Sequence, residues 1–106
     1  MRFLVLRLGS IGDTVLSFPC LFALRENFQG SEVVFAARTE ARYLAQASGL
    51  ADRVVDLGSA FFSPLFSNSF ERESELGEFL SQFDVILCLV SDRTGNLRRN
   101  LESLPR

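Results

Sequence analysis

Short apolar runs with helical periodicity between them limit this chain's fold more than any other feature. Residues 2–6 (RFLVL), 32–37 (EVVFAA) and 84–90 (DVILCLV) are nearly continuous in apolar side chains. Residues 53–57 (RVVDL) form a shorter, more peripheral member of the set. Such unbroken runs mark strands buried on both faces, as in a parallel sheet covered by helices. The intervening segments carry the 3.6-residue period instead. After the first run, Val15, Phe18 and Phe22 with Leu21, Leu24 and Phe28 can share one broad face, and Gly30 supplies a stop. Residues 39–48 place Ala41, Leu44, Ala45 and Ser48 together before Gly49. Residues 71–82 open on acidic side chains, as the positive end of a helix dipole favours. The closing NLRRNLESL turns Leu97, Leu101 and Leu104 to one side. Strand and helix alternate four times, which predicts an α/β fold: a Rossmann-like parallel sheet with flanking helices and right-handed crossovers.

Composition excludes several kinds of chemistry. A hydrophobic content of 47 % over 106 residues suffices for one packed domain and argues against disorder. Eleven basic residues oppose thirteen acidic ones, and a net charge of −2 is no footprint for nucleic acid. Lysine and histidine do not occur, so every basic side chain is an arginine. Histidine acid–base catalysis, a histidine metal site and a lysine-bearing phosphate loop therefore fall away. Cys20 and Cys88 lie in apolar stretches without metal-ligand spacing and read as reduced core thiols of a cytosolic protein. Arg7 and Asp13 interrupt the apolar N-terminus too early for a secretion signal, and no run is long enough to span a bilayer. A cytoplasmic location is expected.

Two features stand apart from the regular pattern. Pro19 falls inside the first helix if that helix begins at Asp13; an ideal helix would lose about 3 kcal/mol there, so a kink near Ser17 is expected. The uncharged stretch 59–70 (SAFFSPLFSNSF) spaces Phe62, Phe66 and Phe70 four apart. It reads either as a loop folding its rings onto the sheet or as an apolar lip for a lipid-like ligand, a membrane surface or a second domain.

In a doubly wound sheet ligands sit beyond the carboxyl ends of the strands, where the strand order reverses. With the first strand central, that crevice lies between the loop after strand one (RLGSIGD) and the loop after strand four (SDRTGN). Gly9, Ser10, Ile11 and Gly12 in the first loop and Asp92, Arg93 and Thr94 in the second are the candidate substrate-binding residues. Arg7, Arg98 and Arg99 add positive charge that suits an anionic ligand. Asp13 closes the first loop at the start of a helix. It can serve as a helix N-cap, or as a general base accepting a proton from a bound hydroxyl, since no histidine or lysine is available. The dinucleotide fingerprint G-x-G-x-x-G is not met by Gly9-Ser10-Ile11-Gly12, which makes a nucleotide-binding module the weaker reading.

The run FLVLRLGSIGDTVLSFPCLFALRENFQGSEVVFAAR, residues 3–38, resembles the start of glycosyltransferase family 9, the lipopolysaccharide heptosyltransferases. The shared pattern is an apolar strand, R-x-G-S-I-G-D, a helix containing proline, and ALR…F before the second strand. It continues more loosely through ADRVVDL and FDVILCL. The resemblance implies the N-terminal, acceptor-binding domain of a two-domain GT-B enzyme. It implies an inverting, metal-independent transfer of heptose from ADP-heptose to the lipopolysaccharide inner core, with no cofactor. The family's catalytic aspartate falls on Asp13 and its glycine turn on Gly9 and Gly12. Implied partners are the ADP-sugar donor, the inner-core acceptor and a peripheral contact with the cytoplasmic face of the inner membrane. Family members continue into a nucleotide-sugar domain that residues 1–106 do not contain, so the chain is expected to represent the acceptor half and to be inactive alone. A non-catalytic sugar- or nucleotide-binding module of the same fold is the alternative.

Overall fold

The structure, a computed structural model, describes residues 1–89, 92 and 94–104. Four strands, β1 (Arg2–Arg7), β2 (Glu32–Ala37), β3 (Arg53–Asp56) and β4 (Val85–Cys88), form one parallel sheet in the order β3-β2-β1-β4. The central position of β1 follows from its composition. Phe3, Leu4, Val5 and Leu6 are all buried, so both faces of the strand must be covered. β4 is shorter than the run 84–90 suggested, ending at Cys88, and Val90 lies outside the described residues.

Side chains alternate across the sheet with the period of two that a pleated strand imposes. Phe3 and Val5 of β1, with Val33 and Phe35 of β2, point to one face and meet Leu21, Leu24 and Ala45. Leu4 and Leu6, with Val34 and Ala36, point to the other and meet Leu65, Leu76, Leu80, Leu97 and Leu104. The first face is covered by α2 (Phe18–Asn27) and α3 (Arg42–Ser48), the second by α4 (Glu75–Ser81) and α5 (Asn96–Glu102). The chain therefore leaves β1 toward one face and β4 toward the other. These neighbouring strands are the point where the winding reverses.

The expected kink is a full break. One helical segment, α1, spans Ile11–Leu16, and α2 restarts at Phe18 with Pro19 in its first turn, where a missing N–H costs nothing. Ser17 sits at the junction, buried, and its hydroxyl donates to the Asp13 carbonyl at 3.1 Å. The helix also begins two residues before Asp13. The expected broad apolar face narrows to Leu21 and Leu24 with half-buried Phe18 beside them, while Val15, Phe22 and Phe28 are exposed. Residues 39–41 form a 3-10 turn ahead of α3, and α4 starts at Glu75, four residues after the acidic run begins, because Ser74 caps it through Gly77 N–H. Of the two cysteines expected in the core, Cys20 is half-buried and packs against the core of the first face, whereas Cys88 is exposed.

The phenylalanine-rich stretch folds inward. Residues Ala60–Phe66 form a 3-10 helix that buries Phe62 and Leu65, with Phe66 and Phe70 packed against the same core. Phe62 and Phe79 lie edge to face with ring centres 5.9 Å apart, and Phe79 meets Phe83 at 5.2 Å. Phe61 alone among these rings is exposed. Buried Asn100 of α5 fixes the segment, its amide donating to the carbonyls of Leu65 and Ser67, each at 2.8 Å. Asn100→Ala removes both donors and strands two acceptors. The expected loss is about 1–3 kcal/mol, read as a lower denaturant midpoint at unchanged slope.

Candidate active site

β1 ends at Arg7, and the next residues must turn from strand to helix within a few positions. Gly9 makes the turn at φ +127°, a conformation L side chains rarely adopt. A methyl group there would also lie 2.4 Å from Asp13 Oδ2. Gly9 is thus required twice, by its own backbone and by the carboxylate folded against it. Gly12 differs from the expected turn glycine: it lies within α1, where an added methyl meets only Ser10 Oγ at 3.6 Å. Among the described residues its hydrogen has no steric cause.

Ser10, not Asp13, is the N-cap of α1. Its hydroxyl accepts from Asp13 N–H at 3.2 Å, and Asp13 Oδ2 accepts in return from Ser10 N–H at 2.8 Å. This reciprocal pair is a capping box, with aspartate in the third helical position. The Ser10 hydroxyl lies 3.1 Å from the same Oδ2. The other oxygen, Oδ1, faces Arg7, whose Nη2 stands 3.2 Å away. The Ser10 backbone N–H, followed by its hydroxyl and the Arg7 charge, holds the Asp13 carboxyl below its ordinary value of 3.8, with desolvation opposing. The group is therefore an anion at neutral pH. Its side chain remains 40 % exposed, so a ligand can reach it.

Arg7 connects this corner to the end of β4. Its Nη1 donates to the Leu89 carbonyl at 2.8 Å while Nη2 faces Asp13, and its Nε is buried without a hydrogen-bond partner among the described residues. One guanidinium thus joins the loop after β1 to the loop after β4, the two walls of the crevice expected at the strand-order reversal.

The second loop contributes differently from the sequence expectation. Asp92 accepts from Leu97 N–H at 3.2 Å and Arg98 N–H at 3.0 Å, which commits its carboxylate to capping α5. Thr94 is exposed, and its Oγ1 accepts from Asn96 N–H at 3.2 Å. Arg93 lies outside the described residues. Arg98 pairs with Glu102 at 2.7 Å and Arg99 bonds the side chain of Asn96 on the same helix. The positive charge shown to face the corner is therefore that of Arg7. Beside β4, Cys88, Leu97 and Leu101 floor a groove of about 310 Å³ rimmed by Asp92, Arg98 and Glu102, a largely apolar surface without surplus positive charge. Ser10, Ile11 and Gly12 are exposed around Asp13. Among the described residues no three acidic, cysteine or histidine side chains gather as a metal site needs, and no helix is long and apolar enough to cross a membrane.

Solved structures supply the comparison this geometry calls for. The crystal structure of the glycosyl transferase family 9 from Veillonella parvula DSM 2008 superposes with a TM-score of 0.68 over 94 % of this chain, at 19 % identity. The fold matches part of a family 9 glycosyl transferase. At that identity the likeness establishes the arrangement of sheet and helices, and this chain spans 29 % of that protein's length. No family model matches the chain, and no curated protein does.

Proposed function

We propose that the chain is the acceptor-side part of a family 9 glycosyltransferase, with Asp13 as the general base. The observation that carries this reading is the ionised, accessible Asp13 carboxylate beside the β1–β4 reversal of strand order, with one oxygen tied to Ser10 and the other turned to Arg7. Fold likeness to the Veillonella protein and the R-x-G-S-I-G-D run support it.

The chemistry is a single displacement. An acceptor hydroxyl oxygen attacks the anomeric carbon of a nucleotide-activated sugar from the face opposite the leaving group. The new carbon–oxygen bond forms as the bond to the diphosphate breaks, the electron pair leaves with the phosphate oxygen, and configuration inverts. The hydroxyl proton passes to Asp13 Oδ1. A carboxylate held below its ordinary pKa is a weak base toward a free alcohol. Proton transfer is therefore late, once bond formation has made the attacking oxygen acidic. Within this reading Gly9 lets the carboxylate fold back, and the bare backbone at Gly12 leaves room for substrate.

The donor proposed is ADP-heptose and the acceptor the inner core of lipopolysaccharide, with the remaining substrate contacts made by Ser10, Ile11, Thr94 and Arg93. Ile11 and Val15, 52 % and 42 % exposed and one turn apart on α1, offer an apolar flank suited to a lipid-bearing acceptor and to peripheral contact with a membrane. The experiment is transfer of labelled heptose from ADP-heptose to a deacylated inner-core oligosaccharide by the complete gene product, with other nucleotide sugars in parallel. Labelled product with ADP-heptose supports the reading. Transfer from a different nucleotide sugar keeps the reaction and replaces the donor; no transfer from any overturns it.

A second reading has its own observation. The Asp13–Ser10 capping box is a sufficient structural reason for an aspartate at this position, as a non-catalytic sugar-binding module would need. In that case substitution of Asp13 changes stability and leaves no transfer to lose.

A further inference from the structure

We propose that Arg7 is a positioning residue that orients the Asp13 carboxylate and locks it to the loop after β4. The inference deepens the reading of Asp13 as the base and rests on it. Its grounds are geometric. Ser10 grips one carboxylate oxygen, Oδ2, through its N–H at 2.8 Å and its hydroxyl at 3.1 Å. Held by one oxygen, a carboxylate can still swing its other oxygen about that contact. Arg7 Nη2 at 3.2 Å from Oδ1 supplies the second point that fixes the plane.

The guanidinium is itself immobilised. Arg7 ends the central strand, in register with Ala37 of β2, and Nη1 is bonded to the Leu89 carbonyl at 2.8 Å. Its side chain is 24 % exposed, with Nε buried. A planar fork reaches a carbonyl and a carboxylate at once, which a single ammonium cannot do with the same geometry. The arrangement turns one lone pair of Oδ1 toward Arg7 and leaves the other for a hydroxyl entering the crevice. The charges at the 3-10 turn packed on α1 are engaged with each other: Arg38, just before the turn, and Glu40, within it, pair at 3.1 Å.

Arg7→Gln and Arg7→Lys separate orientation from charge. In this chain, carbon-detected NMR follows the Asp13 carboxyl resonance through an acid titration. Arg7→Gln is expected to raise the Asp13 midpoint, and Arg7→Lys to return it toward the wild-type position. In the complete gene product both variants are expected to lower kcat on the order of 10²-fold with acceptor KM little changed, because a misplaced base harms the chemical step. An Asp13 midpoint unmoved by Arg7→Gln overturns the proposal. Full recovery of kcat by Arg7→Lys also overturns it, since charge alone would then suffice. Asp13→Asn at wild-type turnover instead refutes Asp13 as the base, while the NMR titration still reports whether Arg7 holds the carboxylate.

Discussion

Asp13→Asn in the complete gene product is expected to slow sugar transfer by roughly 10²–10⁴-fold, the usual contribution of a positioned general base. The substitution is well suited to the question because so little else changes. An asparagine carbonyl can still accept from Ser10 N–H, so the capping box survives in outline. The lost ion pair with Arg7 is partly exposed on both sides, with side-chain exposures of 24 % and 40 %, and pairs of that kind contribute about 0–1 kcal/mol. What disappears is the ability to take a proton. Thermal unfolding should therefore shift by only a few degrees while turnover collapses. A large loss of stability with no transfer to lose would instead assign Asp13 to capping alone.

Gly77→Ala is expected to be the most damaging of the conservative changes to the fold. Gly77 is buried in the first turn of α4, and an added methyl would stand 2.1 Å from the Arg72 carbonyl oxygen and 2.5 Å from its carbon. Those atoms are backbone, so the turn before α4 must move, and the Ser74 hydroxyl that accepts from Gly77 N–H at 3.2 Å moves with it. Alanine gains about 1 kcal/mol in helix propensity. Overpacking costs up to about 3 kcal/mol and a lost cap about 1 kcal/mol more. The net expectation is a loss of about 2–3 kcal/mol, seen as a drop in Tm on the order of 10 °C. The same change at Gly12 serves as the control. That site is helical and open, so alanine should leave stability unchanged or raise it by up to about 1 kcal/mol.

Much of the architecture was legible in the chain because burial on both faces writes itself as unbroken apolar runs. β2 begins and ends where EVVFAA does, and the central place of β1 followed from the topology such runs impose. Pro19 marked a disturbance near Ser17, read as a kink and found as a full break between α1 and α2, since the missing N–H and the ring leave few positions open to it. The helix faces were less legible. Val15, Phe22 and Phe28 satisfy the period yet lie exposed, because a short, broken helix presents a narrower stripe to the sheet than a continuous one. The phenylalanine-rich segment admitted two readings until Asn100, 33 and 35 residues away from its partners, was seen holding it down.

The corner at Asp13 was half legible. Ser10-x-x-Asp13 is itself a capping-box pattern, which identifies Ser10 as the cap and places the aspartate one turn inward. The bond from Arg7 to the Leu89 carbonyl spans 82 positions and left no local trace. The positive lining expected from Arg98 and Arg99 did not materialise because Glu102 and Asn96 on the same helix engage them.

The central claim is that a sugar hydroxyl meets the Asp13 carboxylate in the crevice between the β1 and β4 loops. Its most direct measurement is the Asp13 carboxyl resonance as a deacylated inner-core oligosaccharide is added to this chain at neutral pH. Asp52 is the internal control: a carboxylate of similar side-chain exposure, bonded to Val33 N–H at 2.7 Å and paired with Arg25, at the opposite end of the strands. A saturable shift at Asp13 with Asp52 unmoved is the expected result. An Asp13 signal that stays in place while the oligosaccharide perturbs other residues would contradict it.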